Sequence, residues 1–214
     1  ADGEYHDPGG AMTERLQNWW IALSTRERWL VGIAGALALG GKVTDGAIAI
    51  ARAAGVELVD YFARPELTVY NAIPTAEGCI GILLERRSRT LSGAAVLVLG
   101  FGPVGRALAV RLAALGARVT VAARRPVQRA MAEELGLRAV SLTDLAAAAA
   151  AFDTVVNTIP APVLTTQVLA ALPKGCLIVD LASKPGGTDF AAARRLGHTA
   201  LHALSLPTVW APET

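Results

Sequence analysis

From Ser92-Gly93 onward, short unbroken apolar runs alternate with stretches whose apolar residues recur every three or four positions. The runs predict strands at Ala94–Leu99, Arg118–Ala122, Arg138–Val140, Thr154–Asn157, Leu177–Asp180 and Thr199–Leu201. The periodic stretches predict helices at Val104–Leu115, Val127–Leu135, Thr143–Ala150, Thr165–Ala171 and Asp189–Leu196. Gly116, Gly136 and Gly197 follow three of these helices, where a left-handed cap favours glycine. Strands apolar on both faces, alternating with helices, predict an α/β fold: a doubly wound parallel sheet of the Rossmann type.

The first half is patterned differently. Ala1–Gly10 has no apolar period and reads as a tail. Leu16, Trp19, Trp20 and Leu23 lie at helical spacing, and Ser24-x-x-Glu27 is a capping box opening a second helix. This stretch resembles the N-terminal segment of type II secretion M-type proteins. Thr44–Ala54 has a helical pattern, Val56–Asp60 reads as a strand, and Thr68–Ile73 (TVYNAI) as extended. A helix is then expected from Pro74, with Glu77 in its first turn and Ala76, Ile80, Leu83 and Leu84 on one face. The organisation expected is a tail and helical segment over residues 1–40, a remnant lobe with an interdomain helix over 41–92, and the dinucleotide domain over 93–214.

Composition narrows the function classes. With 53% hydrophobic and 18% charged residues, the chain carries enough apolar surface to fold. A net charge of +2 without a dense basic stripe argues against nucleic acid. The nearest such cluster, Arg86, Arg87 and Arg89, reads as a solvated helix C-terminus. The apolar run Trp29–Leu39 is shorter than the ~18–20 residues of a membrane span, which argues against membrane contact through residues 12–40. Cys79 and Cys176 stand in separate apolar segments, without metal-ligand spacing, and reduced thiols there fit a cytoplasmic protein.

The chemistry begins at VLVLGFGPVGRAL. Gly100, Gly102 and Gly105 form G-x-G-x-x-G between a strand and a helix, so Gly100-Phe101-Gly102-Pro103-Val104-Gly105 is the expected cradle for a dinucleotide pyrophosphate over the helix N-terminus. An NAD-specific domain places Asp or Glu at the end of the second strand, to bind the ribose 2′-hydroxyl. Here Ala123, Arg124 and Arg125 fill that place, and two guanidiniums suit the 2′-phosphate of NADP. The plainer alternative is a pair of solvated loop arginines.

Ligands of such sheets lie outside the carboxyl ends of the strands, so Thr158, Ile159 and Pro160 of one loop and Leu181 and Ala182 of the next are expected beside the nicotinamide. Ser183 and Lys184 follow, and Lys184 suits a substrate carboxylate or a proton transfer. A solvated turn lysine is the alternative. His198 and His202 have no acid near them in sequence and read as structural or surface residues.

Taken together, NAIPTAEGCIGILLERRSRTLSGAAVLVLGFGPVGRALA, VTVAARRP, FDTVVNTIPAPVL and LIVDLASKPGGTDF resemble the family of dipicolinate synthase A subunits, from about Gly41 to Pro212. The resemblance implies oxidation of a dihydrodipicolinate-type dicarboxylate to dipicolinate during sporulation, with NADP as hydride acceptor. It also implies, as partner, a flavoprotein-like B subunit. The same resemblance places Thr75 and Glu77 in the substrate cleft with Ser183 and Lys184. Most of that family's N-terminal domain has no counterpart here, and the expected assembly is a homo-oligomer. Two other readings stay open: a 2-hydroxyacid-dehydrogenase-like enzyme, and an NADP-binding module without catalysis.

Overall fold

The computed structural model describes residue 24, residues 45–53 and residues 65–206. The expected N-terminal tail, the Trp-rich segment, the apolar run Trp29–Leu39 and the strand Val56–Asp60 lie outside the described residues. The chain divides into two compact units, Ala1–Pro65 and Glu66–Thr214. In the first, Asp45–Ala53 forms helix α1, with Asp45 in its first turn and Arg52 in its last, each favoured by the helix dipole.

Helix α2, Pro65–Arg86, lies in the second unit from Glu66 onward. Here the structure corrects the expectation that Thr68–Ile73 is extended and that the helix starts at Pro74. The start signal, Pro at the first position with an acid behind it, belongs to Pro65-Glu66, and Pro74 lies inside the helix. Pro74 has no amide for the Tyr70 carbonyl, but Val69 and Tyr70 are exposed, so water can serve that carbonyl. The Thr75 hydroxyl donates to the Asn71 carbonyl at 2.7 Å.

Six strands follow: β1 Ala95–Leu99, β2 Arg118–Ala123, β3 Arg138–Ser141, β4 Thr154–Asn157, β5 Leu177–Asp180 and β6 Thr199–His202. Between them run α3 Pro103–Ala114, α4 Pro126–Glu134, α5 Leu145–Ala148 (flanked by 3-10 turns), α6 Thr166–Ala171 and α7 Phe190–Arg195. The strand order is β3-β2-β1-β4-β5-β6 and every pairing is parallel. This is the expected doubly wound Rossmann sheet, whose order reverses between β1 and β4.

Alternation along each strand feeds two cores. On one face Val96, Val98, Val121 and Val179 meet Leu108 and Leu112 of α3, and Ala76, Cys79 and Leu83 of α2 pack into the same layer. On the other, Leu97, Leu99, Val155 and Ile178 meet Leu145, Leu169 and Ala193 of α5, α6 and α7. Thus α2, its second half expected as an interdomain helix, has its buried face in the Rossmann core. By length and composition it could cross a membrane, yet that face is sequestered against the sheet. Burial pushes both the Cys79 and the Cys176 thiol up to about 12, so neither is a reactive thiolate near neutral pH. Positive φ at Gly116, Gly136 and Gly197 matches the expected left-handed caps.

The structure overturns the expectation that Arg87 is solvated at a helix end. Its side chain is only 7% exposed, and its guanidinium donates to Asp153 Oδ1 at 2.7 Å and to the Thr154 hydroxyl. Burial alone would raise the Asp153 carboxyl, but hydrogen bonds from Arg87 and Thr154, with the charge of Arg87, outweigh it and lower the pKa. A lowered folded pKa means stability present above the unfolded value, about 3.9, and lost as pH falls through the folded one. Thermal melts from pH 7 to pH 2 are therefore expected to show a loss beginning near pH 4, and Asp153→Asn to show a smaller one. A variant with the wild-type slope would mean that this pair does not couple to folding. Asp189, lowered chiefly by the Ala192 amide at the start of α7, contributes with the same sign and would persist in the variant.

Candidate functional site

The turn after β1 is built from close approaches. Gly100 has φ +93°, and a Cβ there would lie 2.5 Å from the Thr158 hydroxyl. That hydroxyl is already fixed, donating to the Leu99 carbonyl at 2.8 Å. A Cβ on Gly105 would collide with the Gly100 carbonyl oxygen, so α3 can sit against the turn only with glycine at this position. Gly102 differs from both. Its φ of −81° and ψ of −170° suit any residue, and a Cβ would have no neighbour within 4 Å. Nothing in the turn itself asks for glycine there, and the space that it keeps clear opens in front of the α3 N-terminus. The residues thus fit a pyrophosphate approached closely by backbone.

That space belongs to a groove of about 570 Å³ at the sheet's topological switch point. Gly100 to Gly105 form one wall, Ala123, Arg124 and Arg125 another, and Thr158, Ile159 and Pro160 a third. Twelve of the fourteen residues expected to hold a cofactor are therefore brought together. Gln128, Leu142, Ala161 and Val163 complete the lining and escape the sequence reading. Gln128 carries a usable signal, since it lies one helical turn beyond Arg125, and its Nε2 donates to the Phe101 carbonyl at 3.2 Å. Leu142 opens the 3-10 turn after β3, and Ala161 and Val163 continue the loop from Pro160.

At the end of β2, Arg124 and Arg125 are exposed and have no ion pair among the described residues. Behind them Arg129, also unpaired with acid there, donates from one nitrogen to the carbonyls of Ala123 and Arg124, each at 3.0 Å. Three guanidiniums gather at one loop without a carboxylate, an arrangement suited to an incoming anion.

The loops after β4 and β5 are tied together by two buried side chains. Asn157 donates to Asp180 Oδ1 at 2.9 Å and to the Ile159 carbonyl at 3.0 Å. Asp180 also accepts from the amides of Ala182 and Gly187 and from the Thr188 hydroxyl, at 3.0, 2.9 and 2.7 Å. Both oxygens of the carboxylate are thereby used for loop order rather than for a ligand. A Cβ on Gly187 would strike Asn157 and two carbonyls, which shows how closely the loops meet. In consequence Leu181 and Ala182 stand outside the groove, contrary to expectation: the Ala182 amide turns back to Asp180 and its carbonyl bonds His202 Nε2 at 2.8 Å. Ser183 and Lys184 are exposed on the same loop, also outside the groove. His198 is buried, with Nε2 2.9 Å from the Leu169 carbonyl, a structural role.

Thr75 and Glu77 do not join this groove. Thr75 is engaged with the Asn71 carbonyl, and the exposed Glu77 pairs with Arg111 of α3 at 3.5 Å.

Residues 82–183 match the family described as D-isomer specific 2-hydroxyacid dehydrogenase, NAD binding domain. Over 165 residues, 77% of this chain and 56% of the relative, the sequence is 41% identical to the A subunit of dipicolinate synthase from Bacillus subtilis (strain 168). The crystal structure of the corresponding A subunit from Bacillus halodurans superposes with a TM-score of 0.76 at 39% identity, covering 81% of this chain and 60% of that one. A transhydrogenase from Sinorhizobium meliloti, 23% identical over 57% of this chain and 43% of its own, superposes with a TM-score of 0.51 and shares the fold. The chain thus spans less than two thirds of the length of the dipicolinate synthase subunits that it matches. The matched region is an NAD(P)-binding domain of the dehydrogenase type.

Proposed function

From the premise that this chain is a relative of dipicolinate synthase A subunits and carries their dinucleotide-binding domain, we propose that it is the NADP-dependent oxidoreductase component that converts a dihydrodipicolinate-like dicarboxylate to dipicolinate. The observation that carries the NADP assignment is the set of acid-free guanidiniums at the end of β2, where an NAD-specific domain would place a carboxylate. Gly100, Gly102 and Gly105 hold the pyrophosphate against the α3 N-terminus, and Arg124 and Arg125 hold the 2′-phosphate. Thr158, Ile159 and Pro160 border the nicotinamide, with Leu181 and Ala182 ordering the adjoining loop behind it. When bound, the oxidised cofactor would supply a hydride acceptor for a substrate ring carbon, with the accompanying ring proton released to solvent and aromatisation driving the reaction.

For the chain's own residues, Lys184 offers the substrate a cation from an exposed turn, next to Ser183. Asp180 and Asn157 fix the loop from which both project. Thr75 and Glu77 face the substrate only if their present bonds, to Asn71 and Arg111, are exchanged on binding. The substrate and a B-type partner belong to this reading and rest on the relatives' being A subunits of dipicolinate synthase; the sporulation setting and a cytoplasmic location are proposed with it. So is a homo-oligomeric assembly.

The test is NADP reduction by the purified chain, alone and with a B-type subunit, supplied with a dihydrodipicolinate-type substrate. Turnover supports the reading. Tight NADPH binding with no turnover in either mixture would replace it with a binding module. In the active mixture, Lys184→Ala is expected to raise KM about tenfold, the cost of one charged hydrogen bond, with NADPH affinity intact. Unchanged KM and kcat would return Lys184 to a solvated turn lysine.

A further inference from the structure

The first turn of α4 touches both anion-facing walls of the groove, although the sequence motif contains neither of the residues that do so. Gln128 reaches the Phe101 carbonyl in the glycine-rich turn, and Arg129 reaches the carbonyls of Ala123 and Arg124 at the end of β2. Arg129 does not line the groove, is only partly exposed, and has no carboxylate partner among the described residues. An arginine held there without an acid leaves a net charge beside Arg124 and Arg125, a repulsion that a dianionic group would relieve. Both its hydrogen bonds fall on backbone carbonyls of the residues that carry the cation pair, or precede it. Each of those oxygens, left free, would present the negative end of a peptide dipole near the incoming phosphate.

We propose that Arg129 is a specificity-determining positioning residue: by taking up the carbonyls of Ala123 and Arg124, it fixes the segment that presents Arg124 and Arg125 to the cofactor's 2′-phosphate. This rests on the NADP reading above and goes beyond it, because the motif assigns discrimination to the two exposed arginines alone. One terminal nitrogen makes both bonds, so a lysine can replace it where an uncharged side chain cannot.

The proteins that distinguish the outcomes are wild type, Arg129→Met, Arg129→Lys, and Arg124→Ala/Arg125→Ala with and without Arg129→Met. The readouts are fluorescence titrations with NADPH and with NADH, and the melting temperature. Arg129→Met is expected to weaken NADPH about tenfold, as two hydrogen bonds from a charged donor are lost. NADH affinity is expected to change less than about twofold, because its ribose 2′-hydroxyl asks nothing of the cation pair. Arg129→Lys should recover most of the NADPH affinity. In the Arg124→Ala/Arg125→Ala background, Arg129→Met should add nothing, as a residue acting through the pair must. Equal weakening of both nucleotides with a lower melting temperature would reduce Arg129 to a structural cap and overturn the proposal. So would an unchanged NADPH affinity, or a further loss in the double-alanine background, which would make Arg129 itself a phosphate ligand. A wild type without NADPH preference overturns the NADP reading and this inference together. A wild type that prefers NADPH beside an Arg129→Met variant with an undiminished preference overturns the inference alone.

Discussion

Gly102→Val is expected to abolish binding of NADPH and NADH alike, weakening each more than about 100-fold, or roughly 2.7 kcal/mol. The side chain would stand in the part of the glycine-rich turn that the protein leaves empty, since a Cβ at Gly102 meets nothing within 4 Å. The backbone there is extended, with φ −81° and ψ −170°, a conformation that valine adopts without strain. Gly102 is also the N-cap of α3 and makes no side-chain cap bond, so the substitution costs at most about 1 kcal/mol, or a melting shift of about 4 °C. Isothermal calorimetry beside a thermal melt checks both halves. A folded variant that binds NADPH normally would make the turn purely structural.

Three residues on, the expected result inverts. Gly105→Ala adds one methyl group and should lower the melting temperature by about 10 °C, corresponding to about 3 kcal/mol. Its Cβ would overlap the carbonyl oxygen of Gly100, a backbone atom with little freedom, and would sit 3.4 Å from the Thr158 hydroxyl. The Thr158 hydroxyl cannot retreat without releasing the Leu99 carbonyl, so α3 must lift from the β1 turn. The core contacts of Leu108 and Leu112 with the sheet would loosen with it. A Gly105→Ala protein that melts like wild type would mean that the helix does not approach the turn this closely.

The contrast between these glycines shows what the sequence can and cannot convey. G-x-G-x-x-G between an apolar run and a helical period locates the turn, because its strand and helix are local patterns. The motif also assigns each glycine a task, Gly100 to the tight turn, Gly102 to the approach of the pyrophosphate and Gly105 to helix packing, but it says nothing of the Thr158 hydroxyl, more than fifty residues away, that closes on Gly100. The parallel sheet is equally legible, since strands such as Val96–Leu99 and Val155–Asn157 are buried on both faces and carry no competing pattern. TVYNAI misleads for the opposite reason: its β-branched residues and the following proline favour extended backbone locally. The packing of Ala76, Cys79 and Leu83 under the sheet overrides that preference. Arg87 is the same lesson in charge, for its partner Asp153 lies 66 positions on. Position along the chain alone assigns Leu181 and Ala182 to the groove. Asp180 turns its carboxylate into the loop's own amides and draws that segment back from the groove.

Titration of one preparation with NADPH and then with NADH tests the central claim most directly. Each charge-assisted hydrogen bond to the 2′-phosphate contributes about 1.5–3 kcal/mol, so NADPH is expected to bind at least about tenfold more tightly, with the difference shrinking as salt screens Arg124 and Arg125. Equal affinities, or tighter binding of NADH, would contradict the assignment of this groove to NADP.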